Sequence, residues 1–150
     1  MTANVRYLVH DVDAAVAFYT RHLGFRLLSQ AGPAFADVQR GELRLLLSGP
    51  ASSAGRPMAD GQVPGPGGWN RIELVVEDVE AEAARLQAAG LRPRNPIVRG
   101  PGGAQVLFQD PSGNLVELFQ PAAAPMAAAS GQAGPRPRQH EIPPFSRQRI

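Results

Sequence analysis

The chain of 150 residues is 43% hydrophobic and 19% charged, which predicts one compact domain or two small modules. It contains neither cysteine nor lysine, which excludes disulfides, thiolate metal sites, a cysteine nucleophile, a lysine Schiff base and a P-loop lysine. Residues 1–121 carry 11 arginines against 12 acidic residues, whereas residues 122–150 carry four arginines against one glutamate. The net charge of +2 therefore arises from the end of the chain, and we expect no binding to nucleic acid.

The first predicted module occupies about residues 4–48. An apolar strand is followed by Asp11, which can cap a helix, and apolar residues then recur at helical spacing as far as His22. Gly24 can end this helix, and three further apolar segments follow. The predicted order is βαβββ, with strands at about 4–9, 25–30, 34–39 and 42–48 and a helix at about 12–22.

A second module with the same order is predicted at about residues 69–121. Asp78 can cap its helix and Gly90 can end it. Asp110-Pro111-Ser112-Gly113 has the proline and glycine of a type I turn and predicts a hairpin between the last two strands. The strands are predicted at about 71–76, 93–99, 103–109 and 114–119, and the helix at about 79–89.

Two segments outside these modules are rich in glycine, proline and alanine. Residues 49–68 predict a linker or loop between the modules. Residues 122–150 show no periodicity and predict a disordered C-terminal tail. No apolar run approaches the roughly 20 residues that span a bilayer, and the amino-terminal residues lack the layout of a signal peptide. We therefore expect a cytoplasmic protein that does not contact membranes.

The two modules are an internal repeat, because Val9-His10-Asp11-Val12-Asp13 corresponds to Val76-Glu77-Asp78-Val79-Glu80. Together with Leu23-Gly24-Phe25 and the Asp110–Phe119 segment, the repeat resembles the vicinal oxygen chelate superfamily. That superfamily includes glyoxalase I, bleomycin resistance proteins and extradiol dioxygenases. The resemblance covers about residues 4–121. It implies an α+β fold in which two βαβββ modules form curled mixed sheets around a cavity.

The resemblance also implies where a divalent metal ion is held. In such families the ligands are His, Gln or Glu on the first and last strands of each module, which here correspond to Asn4, Leu45, Arg71 and Glu117. Only Glu117 is a suitable ligand, since leucine cannot ligate and the arginine is permanently positive. His10, His22 and His140 lie away from these positions. We therefore expect no cofactor, and a divalent metal held by other residues is the less favoured alternative.

Strand alternation indicates which side chains line the cavity instead. Asn4 and Arg6 share one face of the first strand, as Arg71 and Glu73 do on the corresponding strand of the second module. Arg71 and Glu117 either form a structural ion pair or provide a fixed positive group that binds a ligand oxygen. Trp69 at the cavity mouth and Gln105 on the penultimate strand are further polar or aromatic candidates. The candidate ligand-binding residues are Asn4, Arg6, Trp69, Arg71, Glu73, Gln105 and Glu117, and Glu117 is the candidate catalytic residue.

Three functions agree with this pattern. The favoured one is a small-molecule-binding protein of the superfamily without the family's metal site, with an anionic ligand suggested by Arg71. The alternative is a glyoxalase-type lyase or isomerase that acts on a small oxygenated substrate. A purely structural or partner-binding domain is the third. Because curled four-stranded units leave open sheet edges, we also expect a homodimer.

Overall fold

The computed structural model describes residues 1–123, which form two modules of one helix and one four-stranded sheet each. The predicted α+β class and the two βαβββ modules are confirmed. The predicted disordered tail lies outside the described residues, apart from its first two. The first module contains β1 (Val5–Leu8), α1 (Val12–His22), β2 (Arg26–Ala31), β3 (Phe35–Arg40) and β4 (Leu43–Ser48). The second contains β5 (Arg71–Val75), α2 (Val79–Ala88), β6 (Val98–Gly100), β7 (Gly103–Gln109) and β8 (Leu115–Pro121).

Both sheets are mixed and have equivalent strand orders. The first runs β1-β4-β3-β2 and the second β5-β8-β7-β6. In each, the first strand of the module pairs in parallel with the last, and the other pairs are antiparallel. Each module therefore places its first and last strands side by side, which is where the sequence analysis expects the site residues.

The helices begin at the predicted caps. Asp11 Oδ1 accepts a hydrogen bond from Ala14 N at 3.0 Å, and Asp78 Oδ1 accepts one from Ala81 N at 3.0 Å. These bonds satisfy amide groups that have no partner within the first helical turn. Gly24 follows α1 in the left-handed region with a φ of 70°, which a glycine adopts without steric cost.

One hydrophobic core joins the two modules. It lies between the sheets and the helices and includes alternate residues of β1 and β5, such as Tyr7 and Leu74. The helices contribute apolar stripes that include Phe18 of α1 and Leu86 of α2. The predicted division of a strand into a helix-packed face and a second face is confirmed for β5, in which buried and exposed residues alternate. We call the sheet surface that is turned away from the helices the open face.

Buried tyrosines fasten the modules together along the seam between β1 and β5. The Tyr7 hydroxyl donates to Leu115 O at 2.7 Å and accepts from Ile72 N at 2.8 Å. The Tyr19 hydroxyl donates to Asp110 Oδ2 at 2.9 Å. Burial, reinforced by the charge of Asp110, raises the pKa of Tyr19, so this hydroxyl remains a donor. The seam is thus held by side-chain bonds to the backbone and to one carboxylate.

The predicted hairpin turn is confirmed. Gly113 N donates to Asp110 O at 3.0 Å, which closes the four-residue turn. Asp110 Oδ1 also accepts from Ser112 N and Asn114 N, both at 2.9 Å. The aspartate therefore fixes the turn with its side chain, as this residue commonly does.

The strand predicted at 93–99 was wrong in its extent, because β6 spans only Val98–Gly100. Two prolines, Pro93 and Pro96, lie in the segment before it and cannot donate to a strand ladder. In this segment a single backbone hydrogen bond, from Arg94 N to Leu107 O at 2.7 Å, takes the place of a regular strand ladder with β7. Among the residues described, no helix is both long and apolar enough to cross a membrane.

Candidate functional site

The predicted pair of Arg71 and Glu117 lies on the open face of the second sheet. Arg71 Nε donates to Glu117 Oε1 at 2.9 Å. The Glu117 side chain is 5% exposed and that of Arg71 is 32% exposed, so the carboxylate is enclosed while the guanidinium reaches the surface of the site. Within residues 1–123, the two terminal nitrogens of Arg71 make no hydrogen bond. They are therefore available to an acceptor from a ligand.

Glu73 adds a second carboxyl group to this pair. It lies directly opposite Glu117 in the parallel β5–β8 register, and opposed residues share a sheet face. A hydrogen bond with Glu117 raises the pKa of Glu73, and burial and the charge of Glu117 act in the same direction, whereas Arg71 lowers it. The site contains one guanidinium and two carboxyl groups that can share a proton.

A cleft of about 490 Å³ lies beside these residues at the seam between the modules. Arg6 of the first module reaches this cleft together with Arg71 and Glu73 of the second. Arg6 Nη1 donates to Ser48 Oγ at 2.7 Å, which holds its guanidinium on the open face of the first sheet. The residues that line the cleft come from both modules and are Val5, Arg6, Tyr7, Leu43, Asn70, Arg71, Ile72 and Glu73.

The other candidate ligand-binding residues, Asn4, Trp69 and Gln105, do not line the seam cleft. Asn4 is exposed, precedes β1 and is not among the residues that line the cleft. Gln105 is opposite Phe119 and is therefore two positions along its strand from Leu107, the residue opposite Glu117. Trp69 is 68% exposed, and the guanidinium carbon of Arg94 lies 4.8 Å from the centroid of its ring. Arg6, Arg71, Glu73 and Glu117 thus form the centre of the site.

The residues at the family's metal positions do not fit a metal ion. The assignment of Leu45 to one of these positions was wrong by one residue, because Leu45 is opposite Val5 and fully buried in the core. The residue on the open face is Leu46, which is opposite Arg6 and also lacks a donor atom for a metal. At the remaining position of β5, the positive Arg71 is bonded to Glu117, the one acidic residue of the set.

A carboxylate–arginine pair on the first sheet was missed by the sequence analysis. Asp37 of β3 is 1% exposed and accepts from Ser29 Oγ at 2.5 Å and Arg44 Nε at 2.6 Å. Burial raises the pKa of Asp37, but the bonds from Ser29 and Arg44 outweigh it and the net shift is downward. A charged residue between Ala36 and Val38 in an apolar strand was the signal that could have revealed it.

A larger groove of about 650 Å³ lies elsewhere, between the end of α1 and the start of α2. Its Arg85 is already engaged, since Nη2 donates to His22 O at 2.7 Å and to Glu82 Oε2 at 2.7 Å. The groove is also lined by charged residues such as Arg21, Glu77 and Asp78, but none of the candidate site residues reaches it. We therefore place the functional site at the seam cleft.

The chain matches one known protein family over most of its length. A family model described as the Glyoxalase/Bleomycin resistance protein/Dioxygenase superfamily matches residues 3–118. The chain belongs to this superfamily. A comparison with curated proteins gave no match.

Solved structures of the superfamily resemble this chain over most of its length. A lactoylglutathione lyase from Agrobacterium tumefaciens is 25% identical, with a TM-score of 0.64 over 80% of this chain and 92% of the other. An antibiotic binding protein from Streptomyces sp. CB03234 is 29% identical, with a TM-score of 0.60 over 81% of this chain and 98% of the other. A superfamily protein from Nocardioides, 24% identical with a TM-score of 0.63 over 89% of both chains, shares the fold.

Proposed function

We propose that this superfamily member binds a small molecule in the seam cleft without a metal ion, and that Arg71 binds an oxygen of that molecule. The observation that carries the proposal is the geometry of Arg71. Its Nε atom is hydrogen-bonded to Glu117, and Arg71 also lines the seam cleft. Its two terminal nitrogens can therefore donate to a ligand in the cleft. A guanidinium in this position can bind a carboxylate or carbonyl oxygen with two parallel hydrogen bonds.

The protonation state of Glu73 determines how well the site accepts an anion. With a proton shared between Glu73 and Glu117, the local charge of these two residues and Arg71 sums to about zero. Arg6 also lines the cleft, and its positive charge makes the net charge of the site positive. A positive site favours negatively charged ligands. We therefore favour a ligand with a carboxylate or carbonyl group, bound more tightly when Glu73 is protonated.

The antibiotic binding protein from Streptomyces supports a binding function, because this chain covers nearly all of it at 29% identity. Calorimetric titration with small carboxylic acids, such as pyruvate and benzoate, tests the proposal. We expect binding that Arg71→Ala weakens at least tenfold, since it leaves Glu117 without its partner. Arg21→Ala, on the exposed surface of α1, is the matched control and should bind as the wild type does. A stoichiometric divalent ion together with unchanged binding by Arg71→Ala would contradict the proposal.

A glyoxalase-type lyase or isomerase is the second candidate, and the carboxyl pair is the observation that favours it. Glu117 as a carboxylate could take a proton from a carbon next to a carbonyl group, while protonated Glu73 donates its proton to the carbonyl oxygen. The product of this step is a neutral enediol. The lactoylglutathione lyase from Agrobacterium supports this alternative at 25% identity.

The two candidates are separated by a turnover assay. Formation of lactoylglutathione from methylglyoxal and glutathione by metal-depleted protein, lost in Glu117→Gln and retained in Glu42→Gln, would establish the enzyme. Glu42 is an exposed glutamate outside the site and serves as the control. Tight binding of a carboxylic acid without any turnover favours the binding protein.

A further inference from the structure

Two leucines on the open face of the second sheet are covered although neither α1 nor α2, the helices of residues 1–123, packs there. Leu107 is opposite Glu117 and Leu115 is opposite Arg71, so both side chains lie on the same face as the site. They are nevertheless only 8% and 1% exposed. Other parts of the chain must therefore lie across this face.

Trp69 and Arg94 lie in the two segments that lead into the edge strands of this sheet. Trp69 directly precedes the cleft residue Asn70 and lies two residues before β5, whereas Arg94 lies four residues before β6. These strands are the opposite edges of the sheet, and α2 occupies its other face. The contact of 4.8 Å between the Arg94 guanidinium and the centroid of the Trp69 ring joins the segments that precede these two edge strands. We call this contact the Trp69–Arg94 bridge.

Both ends of the bridge are anchored beside the covered leucines. Arg94 N donates to Leu107 O at 2.7 Å, and Gly67 N donates to Asn114 Oδ1 at 2.9 Å, next to Leu115. The guanidinium holds one face of the indole ring, and 68% of Trp69 remains exposed. The second face of the ring is thus presented to the solvent in a fixed orientation.

We propose that the ligand of this protein is a planar aromatic acid that stacks on the free face of Trp69 while its carboxylate binds Arg71. The inference rests on the proposed function and adds the chemical class of the ligand. Two residues of extended chain span at most about 7 Å, which limits the distance between the Cα atoms of Trp69 and Arg71. Their side chains therefore start from neighbouring positions, and one two-ring ligand is proposed to contact both. A ring that is already oriented by Arg94 loses little further freedom when a ligand stacks on it.

Two acids of equal carbon number and charge test this proposal, naphthalene-2-carboxylate and its saturated counterpart, decahydronaphthalene-2-carboxylate. In calorimetric titrations we expect the aromatic acid to bind roughly three- to tenfold more tightly. Trp69→Leu keeps an apolar side chain without a π face and should abolish this preference. Binding of the saturated acid should change by less than about twofold. Val63→Ala, at another exposed apolar residue, is the control and should preserve the preference.

The outcomes separate this inference from the proposed function. Arg71→Ala should weaken the binding of both acids, since both carry the carboxylate. If both acids bind equally well, or if Trp69→Leu weakens both equally, the aromatic class is wrong and the proposed function stands. If neither acid binds to the wild type, the proposed function is contradicted as well.

Tryptophan fluorescence provides an independent measurement, because Trp69 is the single tryptophan of the chain. We expect an emission maximum typical of an exposed indole that stays constant from low to high protein concentration and changes on addition of the aromatic acid. A shift to shorter wavelength as the protein concentration rises would show that a second copy covers the ring. That result would overturn the proposal.

Discussion

Glu73, Glu117 and Arg71 place two acidic groups and one basic group within hydrogen-bonding reach on adjacent strands. The arginine faces Glu117, and the hydrogen bond between the two glutamates raises the pKa of Glu73. The charge of the site therefore changes when Glu73 takes up a proton, and this happens at a higher pH than for an ordinary glutamate. This property distinguishes the site from a simple arginine–carboxylate ion pair and leads to a prediction about pH.

We expect Glu73→Gln to become progressively more stable than the wild type as the pH rises. Glu73 binds its proton more tightly in the folded than in the unfolded state, so its contribution to stability is present at low pH and is lost as the pH rises through the raised pKa. Glutamine stays neutral and escapes this loss. Melting temperatures of both proteins between about pH 4 and pH 8 measure the difference. The exposed Glu42→Gln is the control, and a difference that is independent of pH would contradict the shared proton.

Asp37 leads to the opposite pH dependence. Its carboxylate is buried and accepts bonds from Ser29 and Arg44, which outweigh the effect of burial and lower its pKa. We expect Asp37→Asn to destabilise the protein by about 1–3 kcal/mol near pH 7, because a neutral amide with one acceptor oxygen replaces the carboxylate that accepts from both Ser29 and Arg44. The deficit should shrink as the pH falls below the ordinary range of an aspartate. Urea denaturation measures it, with the exposed Asp60→Asn as control; equal stability of the two variants would contradict the assignment.

The seam between β1 and β5 is the element that creates the cleft, since residues of both modules line it. The Tyr7 hydroxyl is bonded on both sides, to Leu115 O and from Ile72 N. Its burial raises the pKa of Tyr7, which keeps it protonated as this double role requires. The position of Arg6 relative to Arg71 therefore depends on a single buried hydroxyl group and its neighbours.

We expect Tyr7→Phe to lower the free energy of unfolding by about 1–3 kcal/mol. The change keeps the ring in the core but leaves the Ile72 amide and the Leu115 carbonyl without their partner. Arg85→Ala removes an exposed bond between the modules, from Nη2 to His22 O, and should cost less than about 1 kcal/mol. Chemical denaturation compares the two variants. A loss no larger for Tyr7→Phe than for Arg85→Ala would show that the buried bonds do not fasten the seam.

The helices and strands could be predicted from the sequence where the residues that determine them are close together in the chain. Asp11 and Asp78 fixed the helix starts through their own side chains, and the alternation in β5 predicted which face carries Arg71. The error at Leu45 arose because Leu45, Leu46 and Leu47 are three consecutive apolar residues, so that both faces of this stretch look alike. The closeness of Glu73 to Glu117 depends on the pairing of β5 with β8, two strands separated by residues 76–114, which no local pattern specifies.

At the scale of the whole molecule, the edge strands of both sheets are open to pairing with another chain, and β2 is one of them. All six residues of β2 are exposed, and Leu27 and Leu28 are 41% and 40% exposed. An unpaired edge strand with exposed apolar side chains favours association with another chain. The homodimer thus stays a prediction, with β2 as the strand at which we expect the contact.

Light scattering at micromolar concentration should give twice the chain mass of 15.9 kDa. Leu28→Asp places a charge on the exposed edge and should shift the protein to the monomer, because burying that charge in an interface is unfavourable. Val63→Asp introduces the same charge at an exposed residue of the linker and should leave the dimer intact. A wild-type protein that is monomeric at these concentrations would contradict the prediction.

The guanidinium of Arg71 at a position where relatives are expected to hold an ion changes how such a site depends on its surroundings. A bound ion is in exchange with a cellular supply, and its occupancy falls when the supply falls or a chelator competes. Arg71 is attached covalently and held by Glu117 at 2.9 Å, so the positive group is in place as soon as the chain folds. Under the proposed function the site therefore needs no loading step, and we expect ligand binding to be the same in the presence and absence of a chelator.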